Sequence, residues 1–290
     1  MTGNQKQENL KPSKEQIINF LREYCWDEIT DTLNRYPDTK SVFIDYRKLD
    51  SPKYELADFL ENEPYEFIRL FQEAISSEDM VFPVDVEGDL EEIEPRVMGF
   101  PFKTNISGLR SDHLMKYVSM EGIVKKVSKA RPMITNAAFY CMRCEHITYI
   151  PQTGNKFTQP HECENETCGR KGPFKTLIDK SSFRNVEIIE LQENPENIQK
   201  RQPESITCYA YDDMIKQVAP GDKVVINGIL QSRQIESRDG KKPFFEYILD
   251  VNNVEKLERD FDDIEITPEE EENILELSQD PNIKDKISQS

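Results

Sequence analysis

The chain has 290 residues, enough for two or three compact units that each bury a core. Hydrophobic residues make up 37% and charged residues 32%, and no stretch approaches the roughly 20 apolar residues that span a bilayer. The formal net charge of −18 excludes a uniformly basic nucleic-acid binder. The acid is uneven, however: Glu258 to Glu272 holds nine acids against Arg259 alone, so local clusters matter more than the total. The polar N-terminus has no apolar signal core, which places the chain in the cytoplasm or nucleoid, a reducing compartment. Ser13 followed by Gln16 predicts a capping box, and Ile17, Phe20, Leu21 and Tyr24 recur at helical spacing after it. Ser41 to Tyr46 suits a short strand. Pro64 suits a first helical position, with Ile68, Phe71 and Ile75 on one face. The first ~95 residues therefore read as a small helical bundle with one strand.

The pattern changes near Pro101. Val118, Val124 and Val127 lie among β-favouring neighbours, and Ser205 to Tyr211 alternates as a half-buried strand would. Pro220-Gly221 marks a turn, and Lys223 to Leu230 reads as another strand. Asp239-Gly240 predicts a hairpin turn between arms Leu230–Arg238 and Lys241–Leu249. Short strands with turns between them imply a small barrel. From Glu258 the β pattern is lost. Thr267-Pro268-Glu269-Glu270 predicts a second capped helix, running through Leu277.

Four cysteines interrupt the β region as Cys141-x2-Cys144 and, eighteen residues on, Cys163-x4-Cys168. Two thiolate pairs on tight turns converge on one tetrahedral ion, and four sulfur ligands close the site, so the expected role of Zn2+ is structural. His146 and His161 stand close enough in sequence to replace a cysteine. Cys25 and Cys208 are isolated and read as small apolar core residues. A catalytic metal would need an open position and a base such as the Glu of H-E-x-x-H, and neither is present.

Two basic clusters stand out in this acidic chain. Lys125, Lys126, Lys129 and Arg131 lie on and after a predicted strand. Arg233, Arg238, Lys241 and Lys242 flank the Asp-Gly turn. Each hairpin arm of about eight residues spans roughly 26 Å, long enough for a basic tip to touch a phosphate backbone. Phe244, Phe245 and Tyr247 lie behind the tip. They have the chemistry to stack on bases, but core packing is the expected role.

In order, these segments resemble the N-terminal region of archaeal and eukaryotic minichromosome maintenance (MCM) helicases. The resemblance is carried by Phe43-Ile44-Asp45-Tyr46 with Glu55-Leu56-Ala57-Asp58, by Ile106 to Leu114, and by Val118 to Val124 with Arg131-Pro132. Further on it is carried by Ile189 to Glu196, Pro220 to Val224 and Ile266 to Glu271. It implies an α+β multi-domain chain: a helical bundle at 1–97, an OB-fold barrel at 98–137 and 174–257, a zinc-binding insertion at 138–173, and an acidic linker at 258–290 toward an ATPase motor. It implies hexamers or double hexamers, single-stranded DNA and possibly duplex DNA as ligand, and other replisome proteins as partners. The DNA-gripping residues it implies are Lys126, Arg131 and Arg184. A channel hairpin maps onto Gln231 to Phe244, and an allosteric loop onto Gln192 to Ser205. Pro203-Glu204 departs from the family's Pro-Arg, so the loop contact is expected to be weaker or moved to Lys200 and Arg201. Lysine on the first barrel strand replaces a bidentate clamp by a point charge.

No G-x-x-x-x-G-K-[ST] occurs, so ATP and Mg2+ belong to a motor outside these residues, and no ATPase activity is expected here. The alternatives are a freestanding OB and zinc-ribbon single-strand-binding protein and a metal-dependent hydrolase. The closed sulfur site argues against the second.

Overall fold

The computed structural model describes residues 11–83, 90–152, 157–195, 201–237 and 240–257, with the side chains of 91 and 236–242 outside the description. The expected helix from Thr267 to Leu277 falls outside the described residues. Helix α1 (Lys14–Phe20) starts as expected. The Ser13 hydroxyl accepts from the Gln16 N–H at 3.2 Å, and the Gln16 side chain accepts from the Ser13 N–H at 2.8 Å. A π-helical turn, Leu21–Cys25, leads into α2 (Trp26–Asn34). After α3 (Tyr46–Leu49) and α4 (Ala57–Asn62), α5 (Pro64–Ile75) opens on its proline. Its buried face is Phe67, Leu70, Phe71, Ala74 and Ile75, with Ile68 only half-buried at the edge. These residues join Ile17, Phe20, Leu21 and Ile29 in one apolar core. Cys25 lies in that core, where burial pushes its thiol up to about 12.

Strand β1 (Ser41–Asp45) pairs in parallel with β2 (Glu94–Met98), a strand that no apolar alternation announced. Its Pro95 and Arg96 look foreign to a strand. They are tolerated because β2 binds β1 on one edge and asparagine side chains on the other.

Seven strands follow: β3 (Tyr117–Val127), β4 (Arg131–Cys141), β5 (Ile147–Pro151), β6 (Phe174–Gln192), β7 (Ser205–Tyr211), β8 (Lys223–Ser237) and β9 (Gly240–Lys256). Five of them, in the order β3-β8-β9-β7-β6, close on themselves through β3–β6. Every pairing is antiparallel except β7–β9. This is the five-stranded Greek-key barrel of an OB-fold. Closure happens at Gly122, beside Ile123, the residue that pairs with both Lys223 and Gln192. A Cβ at Gly122 would lie 2.5 Å from the Gln192 carbonyl oxygen, so only glycine lets the two strands meet there. Val118, Met120, Ile189, Leu191, Cys208, Ile226 and Leu249 fill the interior. Strands β4 and β6 run beyond the barrel and with β5 form the sheet that carries the four clustered cysteines.

The helical unit meets the barrel through a buried polar joint. Asn252 on β9 completes the free edge of β2: its Oδ1 accepts from the Val97 N–H at 2.9 Å, and its Nδ2 donates to the Pro95 carbonyl at 2.8 Å. The amide thereby imitates a neighbouring strand, and Pro95 costs no ladder bond because its nitrogen faces this edge and not β1, which the Glu94 N–H addresses at the Lys40 carbonyl. Arg96 is 2% exposed. It donates to the Ser41 hydroxyl at 2.9 Å, the Asn252 carbonyl at 3.0 Å and Asp213 at 3.0 Å, and it pairs with Glu94 at 2.9 Å.

Removing one member of a buried charged network leaves the others uncompensated, at about 3–5 kcal/mol. Arg96→Met should lower the unfolding free energy by about that much in urea titrations, and adding Asp213→Asn should recover part of it. A loss below about 1 kcal/mol would mean that water solvates Asp213 and Glu94 once the guanidinium is gone.

Candidate nucleic-acid interface and metal centre

Strand alternation divides β6 and β7 into an inner and an outer face. Ile189, Leu191, Ile206, Cys208 and Ala210 point into the core. The pairs Val186–Tyr211, Ile188–Tyr209 and Glu190–Thr207 make a continuous outer face. In OB-folds generally, this face and the loops after the first and fourth strands take oligonucleotides. Here the first of those loops is the β3–β4 turn. It borders β6 through Arg131–Val186 and Lys126–Glu190, and the Ser128 N–H donates to the Ile188 carbonyl at 2.8 Å. The second is the β8–β9 hairpin, which borders β7 through Thr207–Ile248 and Tyr209–Asp250. The β3–β4 turn and the root of the hairpin thus border one surface from opposite sides.

The helical unit covers one end of that surface. Arg184 lies 4.0 Å above the Tyr211 ring and pairs with Asp212 at 3.0 Å and Glu94 at 3.1 Å. Burial works against its charge, but the two carboxylates outweigh burial and hold the pKa above its ordinary value. Asp250 accepts from Tyr65 and from Gln231, each at 3.1 Å, and burial raises its pKa. What stays open is Ile188, 40% exposed, with half-buried Glu190, Thr207 and Tyr209.

The basic residues differ in how far their charge is spent internally. Lys125 pairs with Glu190 at 2.7 Å, and that contact pulls the carboxylate below its usual range. Arg233 donates to Glu246 at 2.7 Å and also to the Tyr209 hydroxyl. Lys126 and Arg131 are exposed, and no ion pair among the described residues involves either. Arg238 lies outside the described residues. Lys241 and Lys242 are placed only as β9 backbone beside the turn, where Glu236 pairs with Lys241 and Ser237 with Gly240.

The hairpin corrects one expectation. Phe244 is 65% exposed, Phe245 59% and Tyr247 36%, so none of them is core. The last residue of β8 paired to β3 in the ladder is Ile229, and β9 meets β7 only from Ile248 onward. Between those points and the turn the hairpin is a two-stranded ribbon with no further strand paired to it among the described residues. At its root Gln231 and Arg233 still reach Tyr65 and Tyr209, but no described strand pairs with the ribbon beside Phe244 and Phe245.

The metal-binding geometry is built by two tight loops. Cys141 and Cys144 sit on the β4–β5 turn, where the Cys141 N–H donates to the His146 carbonyl at 2.9 Å. Cys163 and Cys168 bracket a turn in which the Cys168 and Gly169 N–H groups donate to the Asn165 carbonyl at 2.8 and 3.0 Å. Gly169 adopts φ +50° there, a left-handed conformation that glycine takes without strain. All four sulfurs lie within 4.8 Å of one another, with Cys141–Cys168 at 4.0 Å and Cys144–Cys163 at 3.5 Å. Four thiolates about 2.3 Å from a tetrahedral ion would stand about 3.8 Å apart, so the donor set fits. Backbone N–H groups of Cys144 and Arg143 lower the Cys141 thiol, while burial and the neighbouring Cys141 sulfur raise Cys144 and Cys163. Neither His146 nor His161 joins the group.

Sequence reasoning missed Glu193, the carboxylate that organises the base of the 193–204 loop. It is 5% exposed. It accepts from the Ser107 N–H at 2.9 Å, the Glu204 N–H at 3.2 Å and Arg201 at 2.9 Å. Arg201 is thus engaged at the loop base, while Lys200 lies outside the described residues. No composition signal marks this glutamate, because its partners, two backbone N–H groups and the Arg201 guanidinium, are brought together by folding.

The chain matches two family models in succession, the MCM N-terminal domain over residues 14–97 and the MCM OB domain over residues 105–234. It is 26% identical over 274 residues to the minichromosome maintenance protein MCM of Saccharolobus solfataricus, covering 89% of this chain and 40% of that relative. It is 25% identical to DNA replication licensing factor mcm2 of Xenopus laevis, covering 86% of this chain and 28% of that relative. The chain therefore spans less than half the length of these relatives. Among solved structures it is similar to the N-terminal domain of an archaeal MCM, with a TM-score of 0.62 and 27% identity, covering 84% of this chain and 99% of that one.

Burial raises the Glu193 pKa, but the Ser107 N–H, Arg201 and the Glu204 N–H more than offset it and bring it to about 2. A depressed carboxylate stabilises the fold above its unfolded pKa of about 4.3, and that contribution is lost as pH falls toward the folded value. Glu193→Gln should therefore be less stable than wild type at neutral pH, and the gap should close between about pH 4.3 and 2. Paired denaturant titrations across that window check this, and a gap independent of pH would exclude Glu193 ionisation as its source.

Proposed function

Because the chain belongs to the minichromosome maintenance (MCM) family across its N-terminal and OB domains, we propose that it is the DNA-binding, ring-forming N-terminal part of a replicative helicase. The observation that carries the reading is the open outer face of β6 and β7 between two basic loops. Single-stranded DNA crosses this face. Lys126 and Arg131 hold phosphates on the β3–β4 side, and Arg238, Lys241 and Lys242 hold them on the hairpin side. Lys125, Arg184 and Arg233 already have internal carboxylate partners, so they contribute field rather than primary contacts. A protein that moves along any sequence gains from backbone contacts, which carry no base information.

Six such chains in a ring, and two rings joined through their cysteine modules, would bring many weak contacts onto one strand. The net charge of −18 per chain opposes that packing at low salt. ATP and Mg2+ would act in a motor belonging to the part of the relatives that this chain does not cover. The freestanding single-strand-binding reading is less favoured, because both domain models belong to one helicase family.

Cys141, Cys144, Cys163 and Cys168 would hold one Zn2+, which supplies a closed tetrahedral crosslink and no reaction centre. Metal analysis of purified chain should give about one zinc per chain. Cys163→Ser should abolish it, and the OB core should still unfold cooperatively. A metal content near zero in protein never exposed to chelator would remove zinc from this reading.

Each phosphate neutralised on a single strand contributes about −0.7 to the slope of log affinity against log salt. Lys126→Ala with Arg131→Ala, and separately Lys241→Ala with Lys242→Ala, should weaken binding of labelled oligonucleotides of any sequence. Each pair should also flatten the slope by about 1.4 per chain engaged. Unchanged affinity and slope in both folded variants would place the DNA path elsewhere.

A further inference from the structure

The hairpin stalk between barrel and tip carries aromatic side chains that no described residue covers. Phe244 and Phe245 are 65% and 59% exposed, more than almost any other large apolar residue of the described barrel. Adjacent residues of a strand project to opposite faces. Phe245 shares its face with Tyr247, two positions on, while Phe244 lies on the face of Glu246 and Arg233. Across from them stand short or polar side chains, since Phe245 pairs with Gln234 and Tyr247 with Ser232. The Phe245 ring is therefore not screened by a bulky cross-strand partner, and Ile235, in the register gap nearest Phe244, is itself 39% exposed. Water-exposed phenylalanine is unfavourable unless something occupies it.

The surroundings say what that occupant is. The stalk carries little free charge, because Arg233 is held by Glu246. Its root at Ile248 continues directly into the open β6–β7 face through Thr207. Its tip bears Lys241 and Lys242 in sequence. An apolar stretch between a cationic tip and the open β6–β7 face matches a strand whose phosphates are held at the tip and beside that face and whose bases turn toward the rings. A duplex offers no free base faces, and a peptide with this pattern would need negative charges at a fixed spacing.

We infer that Phe244 and Phe245 are base-stacking residues, which supply a sequence-tolerant and salt-insensitive part of single-strand binding. This rests on the proposed DNA-binding function and adds base contact to the phosphate grip. Stacking is tolerant of sequence because every base has a π-face, so it does not conflict with movement along any strand.

The test uses the full chain and two probes of equal length, a labelled oligo-dT and the same backbone with abasic residues. Wild type should bind oligo-dT more tightly than the abasic strand. Phe244→Leu and Phe245→Leu should each lower oligo-dT affinity by about tenfold. They should leave abasic affinity and the salt slope as in wild type, and Phe245→Trp should restore binding. Leucine keeps the apolar surface, so a hairpin that merely packs against a neighbouring copy would be little changed by it. Because the rings are exposed, the variants should keep the wild-type melting transition. Equal affinity of wild type for both probes would overturn the inference and leave the phosphate grip standing. So would an equal loss on both probes, or a changed oligomer size that accounts for the loss. If wild type binds neither probe, the DNA-binding reading itself fails and the inference falls with it.

Discussion

A guanidinium buried to 2% exposure must find anions and carbonyls in fixed places, and the placement of Arg96 constrains the rest of this molecule. It reaches β1 through Ser41, the turn after β7 through Asp213, and β9 through the Asn252 carbonyl. These three elements belong to two separate apolar cores. Because each bond is directional, the helical unit and the barrel are fixed in one orientation, where apolar contact alone would allow sliding. Asn252 reinforces this by completing the β2 edge, and the Tyr117 hydroxyl donates to the same Asn252 Oδ1 at 2.9 Å.

That orientation decides which part of the OB surface remains usable. The helical unit sits over Tyr211 and Asp250, where Glu94 and Tyr65 reach across. The remainder of the β6–β7 face stays open between the β3–β4 turn and the hairpin. Arg184, which looks like a free cation in sequence, is drawn into the joint by the same geometry. A charge with two carboxylates and an aromatic ring around it serves cohesion between the units.

The cysteine module depends on strand continuity in a similar way. Strands β4 and β6 begin or end in the barrel and pair again beyond it, with register shifts between Ile134 and Ala138. Those irregularities turn the ladder away from the barrel axis without breaking it. The two cysteine loops are thus carried on a sheet continuous with the barrel.

Several features were legible in the residues themselves. Ser13 and Gln16 determined a helix start because capping is local chemistry. Pro64 did the same for α5. The cysteine spacing determined a four-sulfur cluster, since two tight loops can only point their thiols inward over a short span. Alternation over Ser205 to Tyr211 determined which side of β7 faces the core. Other features had no local signature. β2 exists because β1 and Asn252 lie on its two edges, although Asn252 is 157 residues from Pro95. Glu193 has its role only because Ser107 and Glu204 come to it through the fold. The aromatic residues behind the hairpin tip have a sequence pattern that fits a buried strand equally well. Their exposure was decided by where the neighbouring strands stop, which is a property of barrel register that no single segment contains.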